Sequence, residues 1–215
     1  MDNMITTTIA FVKQALAGAE AGHDWFHIER VYRTCLLINK TEGGNEQIIA
    51  LAALLHDIAD PKFNNGDEEI GPRKAEEFLR SIGTKEEIIA HVKLIIENMS
   101  FKNSFEKTGF TSPEMKIVQD ADRLDAMGAI GIARAFTYGG FKNRLLYDPA
   151  IKPVTDHTKE SYKNTTAPTI NHFHEKLLLL KDRMNTQTGK KLAAERHDFM
   201  LTFLDHFYSE WEGKE

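Results

Sequence analysis

Four histidine and aspartate side chains occupy positions that the sequence pattern predicts to be buried. His56 and Asp57 end the most apolar stretch of the chain. His27 lies on the inward face of an amphipathic helix, and Asp122 interrupts another apolar helical stripe. A carboxylate is almost never buried without a partner, so a cationic group must lie opposite these positions. Two imidazoles and two carboxylates form a mixed nitrogen and oxygen donor set, which suits a divalent first-row metal ion.

The end of the helix that carries His56 and Asp57 offers a further carboxylate, Asp60, directly before Pro61. Adjacent residues of an ideal helix point about 100° apart, so His56 and Asp57 can bind one ion only where the helix ends. Pro61 marks that end, because it restricts the residue before it. At the same end Asp60 is a candidate general base, and the alternative is a plain turn aspartate.

Two cationic side chains lie beside these residues and are candidates for binding phosphate. Arg30 is one helical turn after His27, and Lys62 follows Asp60 by two residues. A guanidinium and an ammonium group can neutralise the non-bridging oxygens of a phosphate. The alternative for both is a surface salt bridge. With Asp57, the side chains of Asp60 and Lys62 form the predicted catalytic set.

The order His27, His56-Asp57, Asp122 resembles the H…HD…D signature of the HD-domain metal-dependent phosphohydrolases. The resemblance extends to longer motifs that are similar to the bacterial YedJ/YpgQ-like branch of that family, and it covers roughly the whole chain after the first helix. The motifs lie at 23–31, 56–63, 117–128 and 176–196. A single His-Asp pair is a weak signal, whereas four motifs in the same order are a specific one.

This resemblance implies a metal-dependent phosphohydrolase that converts (deoxy)nucleoside triphosphates to the monophosphate and pyrophosphate. The implied metal ligands are His27, His56, Asp57 and Asp122. Mn²⁺ or Mg²⁺ fits a phosphate-binding site best, and Fe²⁺, Co²⁺, Ni²⁺ and Zn²⁺ stay open. A 5′-nucleotidase needs the same donor set, and a non-catalytic nucleotide-binding module could retain it. Both therefore remain alternatives.

One position departs from the family pattern. The resemblance leads us to expect a histidine directly before Ser100, and this chain has Met99 there. If that histidine contacts substrate, Asn98 is the residue available to replace it. We therefore predict that Asn98 and Ser100 bind substrate together with Arg30 and Lys62.

Composition restricts the class of protein further. The 215 residues include 27 Lys and Arg against 32 Asp and Glu, a formal net charge of −5. This balance argues against a general nucleic-acid binder. Cys35 is the only cysteine, which excludes an intrachain disulfide and a multi-cysteine zinc site. We expect a cytoplasmic protein that binds a small nucleotide, without a membrane or a nucleic-acid polymer as partner, and a homodimer is left open.

Helical periodicity covers nearly the whole chain, and no alternating strand pattern is present. The sequence therefore predicts a single all-α domain over 1–215, an HD-type helical bundle of about nine helices. The HD motifs fall within about 20–126, and C-terminal helices over 168–213 are expected to pack on that region. The unpatterned residues 139–168 predict a long loop, which we interpret as a flap over the phosphates.

Several helix boundaries can be predicted from capping residues. Asp24 is expected to be an N-cap, since its side chain can accept a backbone hydrogen bond of the first turn. Thr84 and Glu87 have the spacing of a capping box. Two amphipathic helices are expected to close the chain, over about 170–184 and 191–211.

Overall fold

The computed structural model describes most of the chain as helix. Within the described residues the chain forms nine α-helices and one 3₁₀ helix, and it contains no strand there. This confirms the all-α prediction. The described ranges are 2–19, 24–59, 69–99, 110–154 and 166–214. The α-helices are α1 (Asp2–Ala15), α2 (Trp25–Glu42), α3 (Glu46–Leu55), α4 (Ile70–Ser81), α5 (Glu86–Asn98), α6 (Pro113–Asp125), α7 (Gly128–Phe141), α8 (Thr169–Glu175) and α9 (Gln187–Trp211), and the 3₁₀ helix is Leu177–Arg183.

The chain divides into two compact units, Met1–Ala121 and Asp122–Glu215. The boundary between them falls inside α6. No helix among the described residues is long and apolar enough to span a membrane. That residues 1–215 form one domain stays a prediction.

We expect the two units to unfold together. Helix α6 begins in the first unit and ends in the second, so unfolding of either unit removes part of the packing of the same helix. A single domain unfolds in one cooperative transition whose calorimetric and van 't Hoff enthalpies agree. Differential scanning calorimetry of the metal-free protein measures both enthalpies. Two resolved transitions would show instead that the units are separate domains.

Helix α3 is the central element of the first unit. Every residue from Ile48 to Leu55 is buried, and α3 contacts α1, α2 and α5. The Asn45 side chain caps its N-terminus by accepting hydrogen bonds from the amides of Gln47 and Ile48. A helix that is apolar all round must be buried on all sides, which explains why the polar residues His56 and Asp57 come only at its end.

Helix α2 begins where the sequence predicts. The Asp24 carboxylate accepts a hydrogen bond of 3.0 Å from the backbone amide of His27, which confirms Asp24 as the N-cap. The buried apolar side chains recur every three or four residues along one face (Ile28, Val31, Cys35 and Ile38), and His27 is buried four residues before Val31. This periodicity places His27 on the same face as the apolar core residues.

The predicted capping box at the start of α5 is wrong. Helix α5 starts at Glu86, and its N-cap residue is Lys85, which makes no side-chain capping hydrogen bond. The Thr84 hydroxyl is instead 3.8 Å from the sulfur of Met4 in α1. A contact with a residue 80 positions away in the sequence therefore takes the place of the predicted capping hydrogen bond within the first turn of α5.

In the second unit, α7 extends into the segment that the sequence predicts as loop. The helix continues through Gly139 and Gly140 to Phe141. A Cβ atom on Gly139 would lie 2.2 Å from the Thr169 hydroxyl oxygen, so only glycine permits this close packing. The loop therefore starts later than predicted. Residues 142–154 are described and are not helical, and residues 155–165 of the proposed flap lie outside the described ranges.

The C-terminal helices also differ from the predicted boundaries. The first predicted helix is divided at Lys176, whose φ of −144° is not helical, into α8 and the 3₁₀ helix. Helix α9 begins earlier than predicted, because the Thr186 hydroxyl caps it by accepting from the Gly189 amide at 2.9 Å. Its aromatic residues Phe203 and Phe207 pack with Phe136 of α7.

A histidine of α8 makes the stability of this unit depend on pH. Burial of the ring, together with the nearby charges of Lys176 and Arg144, lowers the pKa of His172 to about 3. Because the unfolded chain binds a proton at His172 more readily, stability is complete above an unfolded pKa of about 6.5 and declines as the pH falls below it. We expect His172→Gln to lose less stability than wild type between pH 6.5 and 3 in urea titrations. The exposed His206 provides the control: His206→Gln should follow the wild-type curve.

Candidate metal centre

His27 contributes its imidazole from the first turn of α2. It is 2% exposed, and its backbone amide is the one that Asp24 caps. The side chain therefore starts from a backbone whose position is fixed by a hydrogen bond. A ligand held in this way needs little reorganisation to bind a metal ion.

His56 and Asp57 directly follow the last residue of α3. The His56 backbone is still helical, with φ −62° and ψ −29°, and Nδ1 lies 2.9 Å from the Ala53 carbonyl oxygen. A carbonyl can only accept, so Nδ1 carries the proton and the lone pair of the ring is on Nε2. This is the tautomer in which a histidine binds a metal through Nε2. Asp57 is half-buried beside it.

The structure brings three of the predicted ligands together. One ligand atom each of His27, His56 and Asp57 lies within 4.8 Å of the other two. The two imidazole rings are 5.3 Å apart between centroids and inclined by 71°. Ligand atoms about 2.1 Å from one ion are at most ~4.2 Å apart, so small side-chain rotations suffice to bind it. Two nitrogens and a carboxylate oxygen fit a divalent first-row metal ion.

Asp122, the fourth predicted ligand, lies near the end of α6 and is half-buried. It belongs to the second unit, whereas the other three ligands belong to the first. Its role in metal binding therefore stays a prediction. The fully buried carboxylate of α6 is Asp120, which is not among the predicted ligands. It lies three residues after Ile117 and four before Leu124, so helical periodicity could have identified it as the inward position.

The end of α6 is fixed by arginine side chains of the second unit. Asp125 is buried and forms a 2.7 Å ion pair with Arg134 of α7. The Arg123 guanidinium donates to the carbonyl of Arg183, and Arg196 donates to the carbonyl of Leu124. These contacts fix the C-terminal turn of α6, the turn to which Asp122 belongs.

The predicted substrate-binding residues are described only in part. Arg30 is half-buried on α2, one turn after His27. Asn98 ends α5 and donates its side-chain amide to the Leu94 carbonyl at 2.8 Å, which leaves its oxygen to accept from a ligand. Met99 is buried in the core, so it packs as an apolar residue where a histidine was expected. Asp60, Lys62 and Ser100 lie outside the described residues.

Comparison with known proteins identifies the family. Residues 25–127 match the family model described as the HD domain, and this range contains all four predicted metal ligands. YpgQ of Bacillus subtilis (strain 168) is 38% identical over 195 residues, which cover 90% of this chain and 87% of YpgQ. The chain therefore belongs to the HD-domain family of hydrolases.

Solved structures show the same similarity along the whole chain. An HD-superfamily hydrolase from Bacillus thuringiensis is 46% identical, with a TM-score of 0.78 and 98% of both chains covered. The structure of Bacillus subtilis YpgQ in complex with ADP is 32% identical, with a TM-score of 0.74, and covers 96% of this chain and 97% of that one. The predicted resemblance to the YpgQ-like branch is confirmed.

The N-cap of α2 should affect the metal centre through His27. Replacing Asp24 with alanine removes the hydrogen bond to the His27 amide, and loss of an N-cap costs about 1 kcal/mol. We expect Asp24→Ala to lower the melting temperature and to weaken Mn²⁺ binding severalfold in calorimetric titrations, because the first turn of α2 frays. Asp24→Asn retains the cap and should behave like wild type. If the asparagine variant binds Mn²⁺ as weakly as the alanine variant, the charge of Asp24 matters and capping is not its role.

Proposed function

We propose that this protein is a divalent-metal-dependent phosphohydrolase that cleaves (deoxy)nucleoside triphosphates to the monophosphate and pyrophosphate. The observation that carries this proposal is the convergence of His27, His56 and Asp57 in a chain of the HD family of hydrolases. The nucleotide as substrate is supported by its relative YpgQ, whose structure was solved in complex with ADP.

The proposed metal ligands are His27, His56, Asp57 and Asp122, with Mn²⁺ or Mg²⁺ as the expected ion. When bound, an ion of this kind would polarise a phosphoryl oxygen and lower the pKa of a bound water molecule to near neutrality. The His56 hydrogen bond to Ala53 prepares that ring for its role as a ligand before the ion arrives. Asp57 supplies formal negative charge, which two neutral imidazoles cannot supply.

The remaining side chains act on the water and on the phosphates. Asp60 accepts the proton of the attacking water, whose oxygen forms a bond to the α-phosphorus while the bond to the bridging oxygen of pyrophosphate breaks. Arg30 and Lys62 neutralise the non-bridging oxygens, on which negative charge accumulates. Asn98 and Ser100 contribute polar contacts that orient the nucleotide. Because the chain as a whole is acidic, these local cations and the ion must provide the attraction for an anionic substrate.

A matrix of nucleotides and metals tests this function. Nucleoside and deoxynucleoside tri-, di- and monophosphates are incubated with the protein and Mn²⁺, Mg²⁺, Co²⁺ or Zn²⁺, and the products are resolved by chromatography. We expect monophosphate and pyrophosphate from triphosphates. Release of orthophosphate from monophosphates would identify a 5′-nucleotidase instead. Binding of nucleotide without turnover under every metal would identify a non-catalytic module.

A further inference from the structure

The motif at 176–196 supplies none of the proposed metal ligands, catalytic residues or substrate contacts. One of its residues nevertheless contacts the motif at 117–128, to which Asp122 belongs. Arg196 of α9 donates a hydrogen bond from its guanidinium to the Leu124 carbonyl, 72 positions earlier in the sequence. The structure therefore joins these two motifs at the last turn of α6.

The Leu124 carbonyl belongs to the last turn of α6, where a carbonyl has no helical amide one turn further on. It accepts a hydrogen bond of 3.0 Å from the Met127 amide, and Arg196 supplies the second donor that a carbonyl oxygen can accept. The neighbouring Arg123 carbonyl accepts from the Ala126 amide at 3.1 Å. The last turn of α6 is therefore held both by the backbone that follows it and by α9.

The aliphatic stem of Arg196 covers the beginning of α7. Gly128 is the first residue of that helix, and its φ of +67° is a backbone conformation that favours glycine. A Cβ atom at Gly128 would lie 3.0 Å from Cγ and 3.2 Å from Cβ of Arg196, so the stem lies directly against the glycine. Arg196 therefore contacts both the end of α6 and the start of the helix that follows it.

The contact with α6 is made by a half-buried cation. Burial lowers the pKa of the Arg196 guanidinium below its usual range, and the nearby Asp125 carboxylate opposes that shift. Asp125 already forms a 2.7 Å ion pair with Arg134, so the hydrogen bond of Arg196 goes to the Leu124 carbonyl. A hydrogen bond from a charged donor is roughly twice as strong as one between neutral groups. The position of this carbonyl is therefore firmly coupled to α9.

Asp122 lies two residues before Leu124, within the turn that Arg196 holds. The last turn of a helix frays readily, because its carbonyls lack amide partners within the helix. Fraying would move the backbone from which the Asp122 carboxylate extends. Groups that orient a metal ligand without touching the ion change metal affinity or activity by about 10–100-fold when they are removed. Loss of the Arg196 contact should therefore weaken metal binding through Asp122.

We propose that Arg196 is a positioning residue of the metal centre, which holds the last turn of α6 and, through it, the carboxylate of Asp122. This inference rests on the proposed function in one respect, since it takes Asp122 as a metal ligand. Arg196 itself has no proposed contact with the ion or with the nucleotide. Its effect on metal affinity should therefore depend entirely on Asp122, whereas a residue that only stabilises the fold would show no such dependence.

A double-mutant cycle on Mn²⁺ affinity tests this dependence without turnover. Arg196→Met keeps most of the stem over Gly128 and removes the donor, and Asp122→Ala removes the proposed ligand. The full-length protein is freed of metal with EDTA, dialysed and titrated with Mn²⁺ in a calorimeter. We expect Arg196→Met to weaken Mn²⁺ binding about tenfold and to have no further effect once Asp122 is absent. Arg196→Lys retains a charged donor and should recover part of the loss, and it replaces Arg196→Met in the cycle if that variant does not fold.

Leu204→Ala is the control for a loss of stability alone. Leu204 is buried about two turns further along α9, and its truncation leaves a cavity that should lower the melting temperature. Its Mn²⁺ affinity should stay near that of wild type. If the Asp122→Ala variants bind Mn²⁺ too weakly to measure, this control decides: an equal loss of affinity in Leu204→Ala and Arg196→Met would overturn the inference.

The outcomes separate this inference from the proposed function. Unchanged Mn²⁺ affinity of Arg196→Met, or an equal loss of affinity with and without Asp122, would overturn the role of Arg196. Either result, combined with hydrolysis in the nucleotide screen, would leave the proposed function standing. Coupling of the two substitutions in a protein that hydrolyses no nucleotide would support the role of Arg196 and overturn the proposed function instead.

Discussion

Asp57→Ala is expected to abolish both metal binding and nucleotide hydrolysis while the helix content stays near that of wild type. Asp57 is the proposed ligand with formal negative charge in the cluster with His27 and His56, so its loss should remove the largest electrostatic attraction for a dication. In the metal-free protein the same change removes a half-buried carboxylate next to an apolar helix. Stability without metal should therefore be unchanged or slightly higher.

The measurements are metal content after dialysis, turnover under limiting Mn²⁺, and far-ultraviolet circular dichroism. Asp198→Ala is the matched control, since Asp198 is an exposed aspartate of α9. It should retain metal, turnover and helix content. Full activity of Asp57→Ala under limiting metal would contradict the whole assignment of the metal centre.

Asp60→Asn should separate catalysis from metal binding. Asparagine retains the shape of the side chain and loses the basic carboxylate, so the attacking water has no proton acceptor at that position. Loss of a general base lowers kcat by roughly 10²-fold or more. We expect this decrease at saturating substrate, with metal content near that of wild type.

Two outcomes for Asp60→Asn would assign the residue differently. A large loss of metal would make Asp60 a ligand, and an unchanged kcat would make it a turn residue before Pro61. The pH dependence of kcat distinguishes a base from a residue that only positions others, because the acidic limb of the profile should be lost in the variant. Lys62→Ala provides a comparison, since it should raise KM for the triphosphate without changing metal content.

Local signals in the sequence were sufficient to identify several elements correctly. Asp24 precedes a helix that begins where its side chain can cap the first turn, and this cap is present. The apolar residues 48–55 are buried together, because a helix without a polar face has no stable place at the surface. Such signals act within one or two helical turns and need no knowledge of the rest of the chain.

Predictions failed where a distant residue competes with the local signal. Thr84 has the right spacing for a capping box, yet its hydroxyl contacts Met4 of α1. Helix α7 extends through two glycines that usually end helices, because Gly139 packs directly against Thr169. In both cases, helix packing supplied a contact that the local sequence pattern does not contain.

The same division applies to the candidate metal centre. The sequence by itself predicted the residue types of the candidate metal centre, because only a few kinds of side chain bind divalent ions and the candidates interrupt apolar helical stripes. Only the tertiary structure shows that His27 and His56, with 28 residues between them in the sequence, have ligand atoms within 4.8 Å of each other. They come together because α2 packs on α3.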